Sequence, residues 1–264
     1  MIKLLVNGAG GKMGRIMLEH LAAEEDVKIV AAIDINNVGK CLCDMIPLQS
    51  LSDVYIENDL ALAIDKHKPD VMLDFTNPSI VYNNTMIALQ KGVRPVVGTT
   101  GLSDEQIADI GHLAYEKQIG ALIAPNFAIG AILLMRFAAQ AVKYFPAVEI
   151  IELHHDQKID APSGTALKTI AAMQPYPLAR TSSVKEIEIV SGSRGGLKDG
   201  VRVHSVRLPG YVAHEEVIFG ALGQTLTLRH DSINRESFYP GVILAIRNVI
   251  SYVGLKVGID SFLD

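Results

Sequence analysis

Residues 7–14 read Asn-Gly-Ala-Gly-Gly-Lys-Met-Gly, and they carry the most informative fold signal in the first half of the chain. It lies between a run predicted as a strand, Lys3–Asn7, and an amphipathic segment predicted as a helix, Lys12–Glu24. Glycines at such a junction permit a tight turn and let backbone N–H groups approach a pyrophosphate. The context therefore predicts a dinucleotide-binding turn, with a purely structural glycine turn as the alternative.

The glycine spacing departs from the common G-x-G-x-x-G pattern, because Met13 occupies its third glycine position. The glycines fit G-x-x-G-x-x-G at positions 8, 11 and 14 instead. Asp34 follows 20 residues after Gly14, where an acid hydrogen-bonds the adenine ribose hydroxyls. An acid at this position disfavours the extra phosphate of NADP, but Lys12 and Lys40 offer positive charge to balance that phosphate. Both NADH and NADPH therefore remain possible as the cofactor.

The rest of the first half alternates strand-like and helical runs, which is typical of a parallel sheet flanked by helices. The predicted strands are Lys3–Asn7, Lys28–Asp34, Asp70–Phe75, Pro95–Thr99 and Gly120–Ala124. The predicted helices are Lys12–Glu24, Asn58–Lys66, Pro78–Gln90 and Ser103–Lys117. This pattern predicts a Rossmann-like α/β domain over residues 1–127, completed by the C-terminal segment 240–264.

The second half changes to period-2 stretches separated by glycine or proline turns. Its predicted strands are Ala147–His155, Lys185–Ser191, Val201–Leu208, His214–Gly220 and Gln224–His230, and its predicted helices are Gly130–Tyr144 and Phe238–Val253. We expect an α+β domain with a mostly antiparallel sheet over residues 128–239, serving substrate binding and oligomerisation.

Composition narrows the range of partners. The 264 residues are 49% hydrophobic and carry a net charge of −5 with no basic stripe, so no nucleic-acid partner is expected. No apolar run approaches the roughly 20 residues of a membrane span, and no secretory leader precedes the first strand. We expect a cytoplasmic protein with no membrane partner. Cys41 and Cys43 support neither a disulfide framework nor a zinc site, and two reduced thiols in a loop are expected.

Residues 152–165 concentrate the reactive side chains: Glu-Leu-His-His-Asp-Gln-Lys-Ile-Asp-Ala-Pro-Ser-Gly-Thr. Adjacent residues on a strand point to opposite faces, so His154 and His155 have different roles unless the strand has already ended. Residues 163–165 have the character of a helix N-terminus, which offers free N–H groups to a carboxylate or phosphate. Lys158 is either a second anion contact or a proton donor.

Other chemistries fit this segment less well. Ser163 lacks the G-x-S-x-G context of a serine hydrolase. His154, His155 and Asp160 lack H-E-x-x-H spacing, so no metal is expected. The two cysteines lie far along the chain from this segment, which argues against a thioester-forming semialdehyde dehydrogenase.

Two further turns, at residues 98–101 and 124–127, follow the fourth and fifth predicted strands. They are expected at the edge of the sheet where nicotinamide binds. With the glycine turn they complete the predicted cofactor site: Gly8, Ala9, Gly10, Gly11, Lys12, Met13, Gly14, Asp34, Gly98, Thr99, Thr100, Ala124, Pro125, Asn126 and Phe127.

Motifs in both halves carry a resemblance to a known family. They are Gly-Ala-Gly-Gly-Lys-Met-Gly at 8–14, Asp-Phe-Thr at 74–76, Gly-Thr-Thr-Gly at 98–101, Ala-Pro-Asn-Phe-Ala-Ile-Gly at 124–130 and His-His-x-x-Lys-x-Asp-Ala-Pro-Ser-Gly-Thr at 154–165, with further matches at 207–214, 228–230 and 235–238. Together they closely resemble the dihydrodipicolinate reductases, also called 4-hydroxy-tetrahydrodipicolinate reductases. One segment, Met173–Ser183, looks shorter than the family's usual loop.

The resemblance implies NAD(P)H-dependent reduction of 4-hydroxy-tetrahydrodipicolinate to tetrahydrodipicolinate with loss of water, in lysine and diaminopimelate biosynthesis. It also implies a homotetramer that acts on a small dicarboxylate. By matching positions, the catalytic residues are His154, the proton donor or shuttle, and Lys158, which protonates the reduced carbon or ring. The implied substrate-binding residues are His155, Ser163, Gly164 and Thr165.

Two alternatives stay open beside this interpretation. One is another oxidoreductase of the same two-domain architecture that acts on a different small anionic carbonyl or imine compound. The other is a non-catalytic dinucleotide-binding sensor, which would not need His154, Lys158 and an anion-binding helix start together.

Overall fold

The computed structural model describes residues 1–176, 178 and 187–263. The chain divides into two compact units. The first comprises Met1–Phe127 and Phe238–Asp264, and the second comprises Ala128–Ser237. Among the described residues, no helix combines the length and the apolar character that crossing a membrane requires.

Twelve strands and seven α-helices follow one another along the described residues. They are β1 (Ile2–Asn7), α1 (Lys12–Leu21), β2 (Val27–Ile33), β3 (Ile56–Glu57), α2 (Leu60–His67), β4 (Val71–Asp74), α3 (Val81–Gln90), β5 (Arg94–Val97), α4 (Asp104–Glu116), β6 (Gly120–Ile123), α5 (Ile129–Ala141), β7 (Ala147–His154), α6 (Gly164–Met173), β8 (Gly196–Lys198), β9 (Val201–Arg207), β10 (Ala213–Ala221), β11 (Gln224–Ser232), α7 (Tyr239–Asn248) and β12 (Gly254–Val257).

The first unit is built on a seven-stranded parallel sheet in the order β12-β6-β5-β4-β1-β2-β3. Its central strand, β4, is buried along its whole length, as the apolar run Val71–Leu73 requires. Helices pack on the sheet through buried aliphatic side chains, for example Leu60 and Ile64 of α2 against Leu5 of β1. The order reverses direction at β1 and β4, which is the topological switch point where ligands bind in open parallel sheets.

Local sequence signals explain where helices of this unit begin. Asp59 caps α2, since its carboxylate accepts the Leu62 N–H at 2.9 Å. Ser103 and Gln106 form a reciprocal capping box at the start of α4. The C-terminal segment belongs to the same unit, because β12 pairs with β6 and Arg247 of α7 contacts two carboxylates that follow α1.

The second unit holds a five-stranded sheet in the order β11-β10-β7-β9-β8. Only the β7–β9 pair is parallel, so the sheet is mostly antiparallel. One face packs against α5 and α6 through a hydrophobic core that includes Leu134, Ile150, Ile170 and Phe219. Together the two sheets confirm the predicted fold class.

Some predicted elements differ from the structure. We predicted a strand over Lys185–Ser191, of which residues 185 and 186 lie outside the described part, and residues 187–191 form no strand. The outer strand is β8 instead, because positive φ angles at Gly192 and Gly195 place turns before it. The predicted helix Phe238–Val253 ends at Asn248 and continues as a 3₁₀ turn. The segment predicted to be shortened, Met173–Ser183, falls mostly outside the described residues.

The two cysteines were predicted as reduced thiols, and this prediction is wrong. The structure joins Cys41 and Cys43 in a disulfide. A 3₁₀ turn at Leu42–Asp44 brings the two Cα atoms to 5.2 Å, which lies inside the range that a disulfide spans. Spacing alone did not reveal this local pairing.

Candidate active site

The glycine turn is anchored to the sheet by its own backbone. The N–H groups of Gly8 and Ala9 both donate to the Ile33 carbonyl, at 2.9 and 3.0 Å, so β2 fixes the turn. Any Cβ at Gly14 would collide with the Gly8 carbonyl oxygen, which explains the glycine inside the first turn of α1. The turn therefore lies tightly against the end of β1.

The N-terminus of α1 is open to an anion. Its N-cap residue, Gly11, provides no side-chain cap, so the first-turn N–H groups of Lys12 and Met13 face outward from the helix start. Asp34 at the end of β2 contacts the same turn. Its carboxylate accepts the Gly10 N–H at 2.8 Å and the Asn36 N–H at 2.8 Å.

A pocket of about 270 Å³ opens beside this turn within the first unit. Three of the predicted cofactor residues, Gly8, Gly11 and Asp34, line it. The remaining lining residues were not predicted: Asn7, Ile33, Ile35, Asn36, Asn58, Leu60, Phe75, Thr76, Asn77, Ile80 and Asn84. Ile35 is 82% exposed and Ile80 is 38% exposed, so the pocket offers apolar surface beside its polar groups.

A fully buried carboxylate organises the adjacent sheet edge. Asp74, the last residue of β4, accepts hydrogen bonds from Asn7 at 2.9 Å, from Asn84 at 3.1 Å and from the Thr99 hydroxyl at 2.9 Å. It also accepts the Thr76 hydroxyl at 2.7 Å. Sequence reasoning did not assign Asp74, Thr76 or Asn84 to the site, although an acid that ends an otherwise apolar strand was the available signal.

The predicted cofactor residues outside the glycine turn and Asp34 lie directly after β5 and β6. The Gly98 N–H donates to the Asp74 carbonyl at 2.9 Å, and Phe127 packs edge-on against Phe75 with ring centroids 6.0 Å apart. Among the remaining predicted residues, Thr100 and Pro125 are exposed, Asn126 is half-buried and Ala124 is buried.

Three cations lie near the glycine turn or in the loop after β2. Lys12 is exposed, and the Lys40 ammonium donates to Asn37 at 3.0 Å. Arg15 was not predicted, and its guanidinium donates to the Gly10 carbonyl at 3.1 Å. Lys12 and Arg15 thus flank the turn that Asp34 contacts.

In the second unit, β7 ends at His154, and this ending separates the two histidines. His154 is 14% exposed, and its Nδ1 lies 2.6 Å from Oε2 of Glu152. His155 lies beyond the strand and is exposed, and its carbonyl accepts the Lys158 N–H at 3.2 Å. The two histidines therefore occupy different environments.

A chain of polar contacts connects His154 to Lys158. Both oxygens of Glu152 accept hydrogen bonds from the Arg207 guanidinium, at 2.8 and 2.9 Å. Arg207 also donates to the Asp160 carbonyl at 2.7 Å, and the Asp160 carboxylate contacts the Lys158 ammonium at 2.6 and 2.8 Å. The two predicted catalytic residues, His154 and Lys158, therefore belong to one network of polar contacts.

Charges in this network set the protonation of its carboxyls. Burial alone would raise the pKa of Glu152, but hydrogen bonds from His154, Arg207 and Ser205 outweigh it and hold the pKa at about 2. The hydrogen bond from Lys158 lowers the pKa of Asp160. Both groups are therefore anions at neutral pH.

The predicted helix start at residues 163–165 exists. Ser163 caps α6, since its buried hydroxyl accepts the Ala166 N–H at 3.2 Å. That contact orients the Ser163 hydroxyl toward the helix. The N–H groups of Gly164 and Thr165, the first two residues of α6, remain for an anion. A Cβ at Gly164 would meet nothing within 4 Å, so the packing of this chain does not require a glycine there.

A second buried carboxyl faces Glu152. Glu215 of β10 pairs in register with Glu152, is 4% exposed and accepts the Thr169 hydroxyl at 2.5 Å. Burial raises the pKa of Glu215 to about 7, and the nearby charge of Glu152 adds to the rise. Its second oxygen has no hydrogen-bond partner among the described residues. Sequence reasoning missed Glu215, since an acid at an inward strand position reads as an ordinary strand residue.

No group of three or more His, Cys, Asp or Glu side chains that would hold a metal ion occurs in the described part of the chain.

Family models match nearly the whole chain. The model described as the N-terminus of dihydrodipicolinate reductase matches residues 2–127, and the one described as its C-terminus matches residues 130–262. The chain is 49% identical over 262 residues to the 4-hydroxy-tetrahydrodipicolinate reductase of Syntrophomonas wolfei, covering 99% of this chain and 98% of the relative. It is 48% identical to the Listeria innocua protein of the same name, over 100% of both chains.

Solved structures agree with these matches. Dipicolinate-bound dihydrodipicolinate reductase from Paenisporosarcina sp. TG-14 superimposes with a TM-score of 0.89 at 44% identity, covering 99% of each chain. An amine dehydrogenase from Mycobacterium smegmatis has a TM-score of 0.68 at 16% identity over 98% of this chain and 95% of its own, and shares the fold.

Proposed function

The chain belongs to the dihydrodipicolinate reductase family, and we propose that it reduces 4-hydroxy-tetrahydrodipicolinate to tetrahydrodipicolinate with loss of water, in lysine and diaminopimelate biosynthesis. The observation that carries this proposal is the pairing of an open, uncapped α1 N-terminus with the His154–Lys158 network and the α6 start in one chain. A dinucleotide sensor would need only the first of these features.

The reaction sets requirements that the residues must meet. One hydride and one proton enter the substrate, and one water leaves it. The protein must therefore hold two carboxylates, supply a proton and bind a reduced nicotinamide dinucleotide, which provides the hydride when bound.

The first unit fits that cofactor. The N–H groups of Lys12 and Met13 would bind the pyrophosphate, and Asp34 would bind the adenine ribose. The exposed Ile35 and Ile80 would contact the adenine. The polar side chains that follow β5 and β6, including those of Thr100 and Asn126, would face the nicotinamide end.

We infer that both NADH and NADPH are accepted. Asp34 suits the free ribose hydroxyls of NADH, and the cations Lys12, Arg15 and Lys40 supply countercharge for the extra phosphate of NADPH. Their balance sets the preference, since Asp34 repels the phosphate that the cations attract.

In the second unit, the substrate contacts divide between binding and proton transfer. The Gly164 and Thr165 N–H groups bind one carboxylate at the start of α6, and His155 with Lys158 binds the other. Ser163 contributes by capping the helix that presents these N–H groups. His154 donates or shuttles the proton, and Lys158 protonates the reduced carbon or ring.

The contact between Lys158 and Asp160 suits this assignment. Asp160 holds the ammonium in place at 2.6 and 2.8 Å, and its own carboxylate is largely exposed. A substrate carboxylate would compete with Asp160 for the same ammonium.

We also propose that the protein is a homotetramer and lies in the cytoplasm, as the resemblance implies. Light scattering on the purified protein tests the oligomeric state.

The decisive test is consumption of NADH or NADPH on adding enzymatically generated 4-hydroxy-tetrahydrodipicolinate, compared with aspartate semialdehyde alone. We expect consumption only with the former. Another oxidoreductase of this architecture would leave both mixtures unchanged but oxidise the cofactor with a different anionic carbonyl or imine. A sensor would bind the cofactor and consume it with neither.

A further inference from the structure

A buried carboxylate lies directly behind His154. Glu152 precedes it by two residues on β7, so both side chains lie on the same face of the sheet. Glu152 is fully buried, and its Oε2 is 2.6 Å from Nδ1 of His154. A carboxylate with no exposure and a short contact to an imidazole nitrogen restricts the rotation of that ring.

Arg207 holds Glu152 from the other side. It pairs in register with His154 across β7 and β9, and its guanidinium contacts both Glu152 oxygens, at 2.8 and 2.9 Å. Such a two-bond contact fixes the plane of the carboxylate. The Asp160 carbonyl in turn accepts a hydrogen bond from Arg207 at 2.7 Å, which anchors the segment that carries Lys158.

The charged and titratable neighbours of Glu152 can be named element by element. His154 lies on the same strand, Arg207 on β9 and Glu215 on β10, while α6 contributes the neutral Thr169. Arg207 is thus the cation that compensates Glu152. With the carboxylate ionised it can only accept a hydrogen bond, so the proton of a neutral His154 ring must reside on Nδ1.

From this geometry we propose that Glu152, clamped by Arg207, is a positioning residue for the reductase reaction. It accepts the Nδ1–H of His154 and thereby fixes the ring so that the doubly protonated imidazolium delivers its Nε2 proton to the substrate and is left as the neutral Nδ1–H form. This inference rests on the proposed function, which makes His154 the proton donor.

The opposite face of β7 supplies a matched control. There Glu149 contacts His204 at 2.8 Å and Arg194 at 2.6 Å, so the same three residue types form an ion-pair network in the same sheet. Replacing Glu149 by Gln removes the same charge from the same strand without touching His154.

The first measurement is the position of the ring proton. In nitrogen-15 NMR spectra of the full-length protein, with the His154 signals assigned by comparison with His154→Gln, neutral His154 carries its proton on Nδ1. Glu152→Gln shifts the population toward the Nε2–H form, because an amide can also donate to Nδ1. Glu149→Gln leaves the His154 signals unchanged. An unaltered tautomer in Glu152→Gln overturns the proposal.

The second measurement is steady-state kinetics with 4-hydroxy-tetrahydrodipicolinate. Glu152→Gln lowers kcat by about 10²-fold, the lower range for losing an oriented proton donor, and leaves KM within about twofold. Glu149→Gln keeps both constants within about twofold. In a His154→Gln background, adding Glu152→Gln causes no further loss of kcat, because Glu152 acts through His154. An equal loss in both backgrounds indicates a merely structural role and overturns the proposal.

Failure of the proposed function gives a different pattern. A wild-type protein that does not reduce the substrate contradicts the function, while the NMR measurement still decides whether Glu152 fixes the ring. Should Glu152→Gln not fold, Glu152→Asp keeps the charge for Arg207 and withdraws the carboxylate from His154. It is expected to lower kcat with unchanged KM, and an unchanged kcat overturns the proposal.

Discussion

Glu215→Gln tests whether the pKa of the buried Glu215 carboxyl on β10 is raised, because a Gln side chain resembles the protonated acid. Burial, reinforced by the charge of Glu152, raises the pKa of Glu215 from its ordinary 4.5 to about 7, against the opposing hydrogen bond from Thr169. Between these two values the folded protein holds a proton that the unfolded chain releases. Stability that is present below the ordinary value is therefore lost as the pH rises toward the folded pKa.

The size of the effect follows from the same two values. A tenfold change in proton affinity corresponds to about 1.4 kcal/mol, so a rise from 4.5 to about 7 corresponds to about 3 kcal/mol. Glu215→Gln should match the wild type at about pH 4 and be more stable at about pH 8, by up to that amount. The variant keeps an oxygen to accept the Thr169 hydroxyl.

Thermal unfolding followed by circular dichroism at a series of pH values measures the difference in Tm between variant and wild type. Glu216→Gln is the matched control, since Glu216 is the next residue on β10 but pairs with Arg229 at 2.8 Å near the surface. We expect no gain at high pH for this control. A Tm difference between Glu215→Gln and the wild type that does not grow with pH would show that the pKa of Glu215 is not raised.

Three further predictions concern the proposed contacts. Gly164→Ala should raise the substrate KM about tenfold with Tm unchanged, because the added Cβ has open space in the fold but would crowd an anion bound at the Gly164 N–H. Gly220→Ala, also in open space, should change neither. Asp34→Ala should weaken NADH binding about tenfold in a fluorescence titration, and unchanged affinity would disprove the ribose contact. Lys158→Ala should lower kcat by about 10²-fold or more with NADH affinity intact, whereas unchanged turnover would remove its role.

The central features of the first unit could be predicted from the sequence because they depend on local signals. The glycine turn, the alternating apolar runs and the Ser103 cap each report a backbone requirement within a few residues. Short outer strands were missed: β3 has two residues, and β12 is recognisable only through its pairing with β6. Pairing between residues distant in the chain leaves little trace in composition.

The same limit applies to the candidate site. Residues 154–165 were identified because their reactive side chains are contiguous in sequence. Glu152 and Arg207 are 55 positions apart, and Glu215 joins them only through strand register. Asp74 likewise gathers side chains from four segments of the first unit. The sequence therefore indicated the groups that we propose to react, while the contacts that hold these groups became visible only in the folded structure.

Transfer of a labelled hydride from the cofactor to the substrate is the sharpest test of the proposed reduction. The full-length protein is incubated with 4-hydroxy-tetrahydrodipicolinate and reduced cofactor that carries deuterium at the reactive carbon of the nicotinamide, using each labelled face in turn. Mass spectrometry then follows the product. We predict tetrahydrodipicolinate one mass unit heavier with one of the two labelled faces and in equal amount to the oxidised cofactor. Unlabelled tetrahydrodipicolinate with both faces, or cofactor binding with no product, would contradict the proposed reaction.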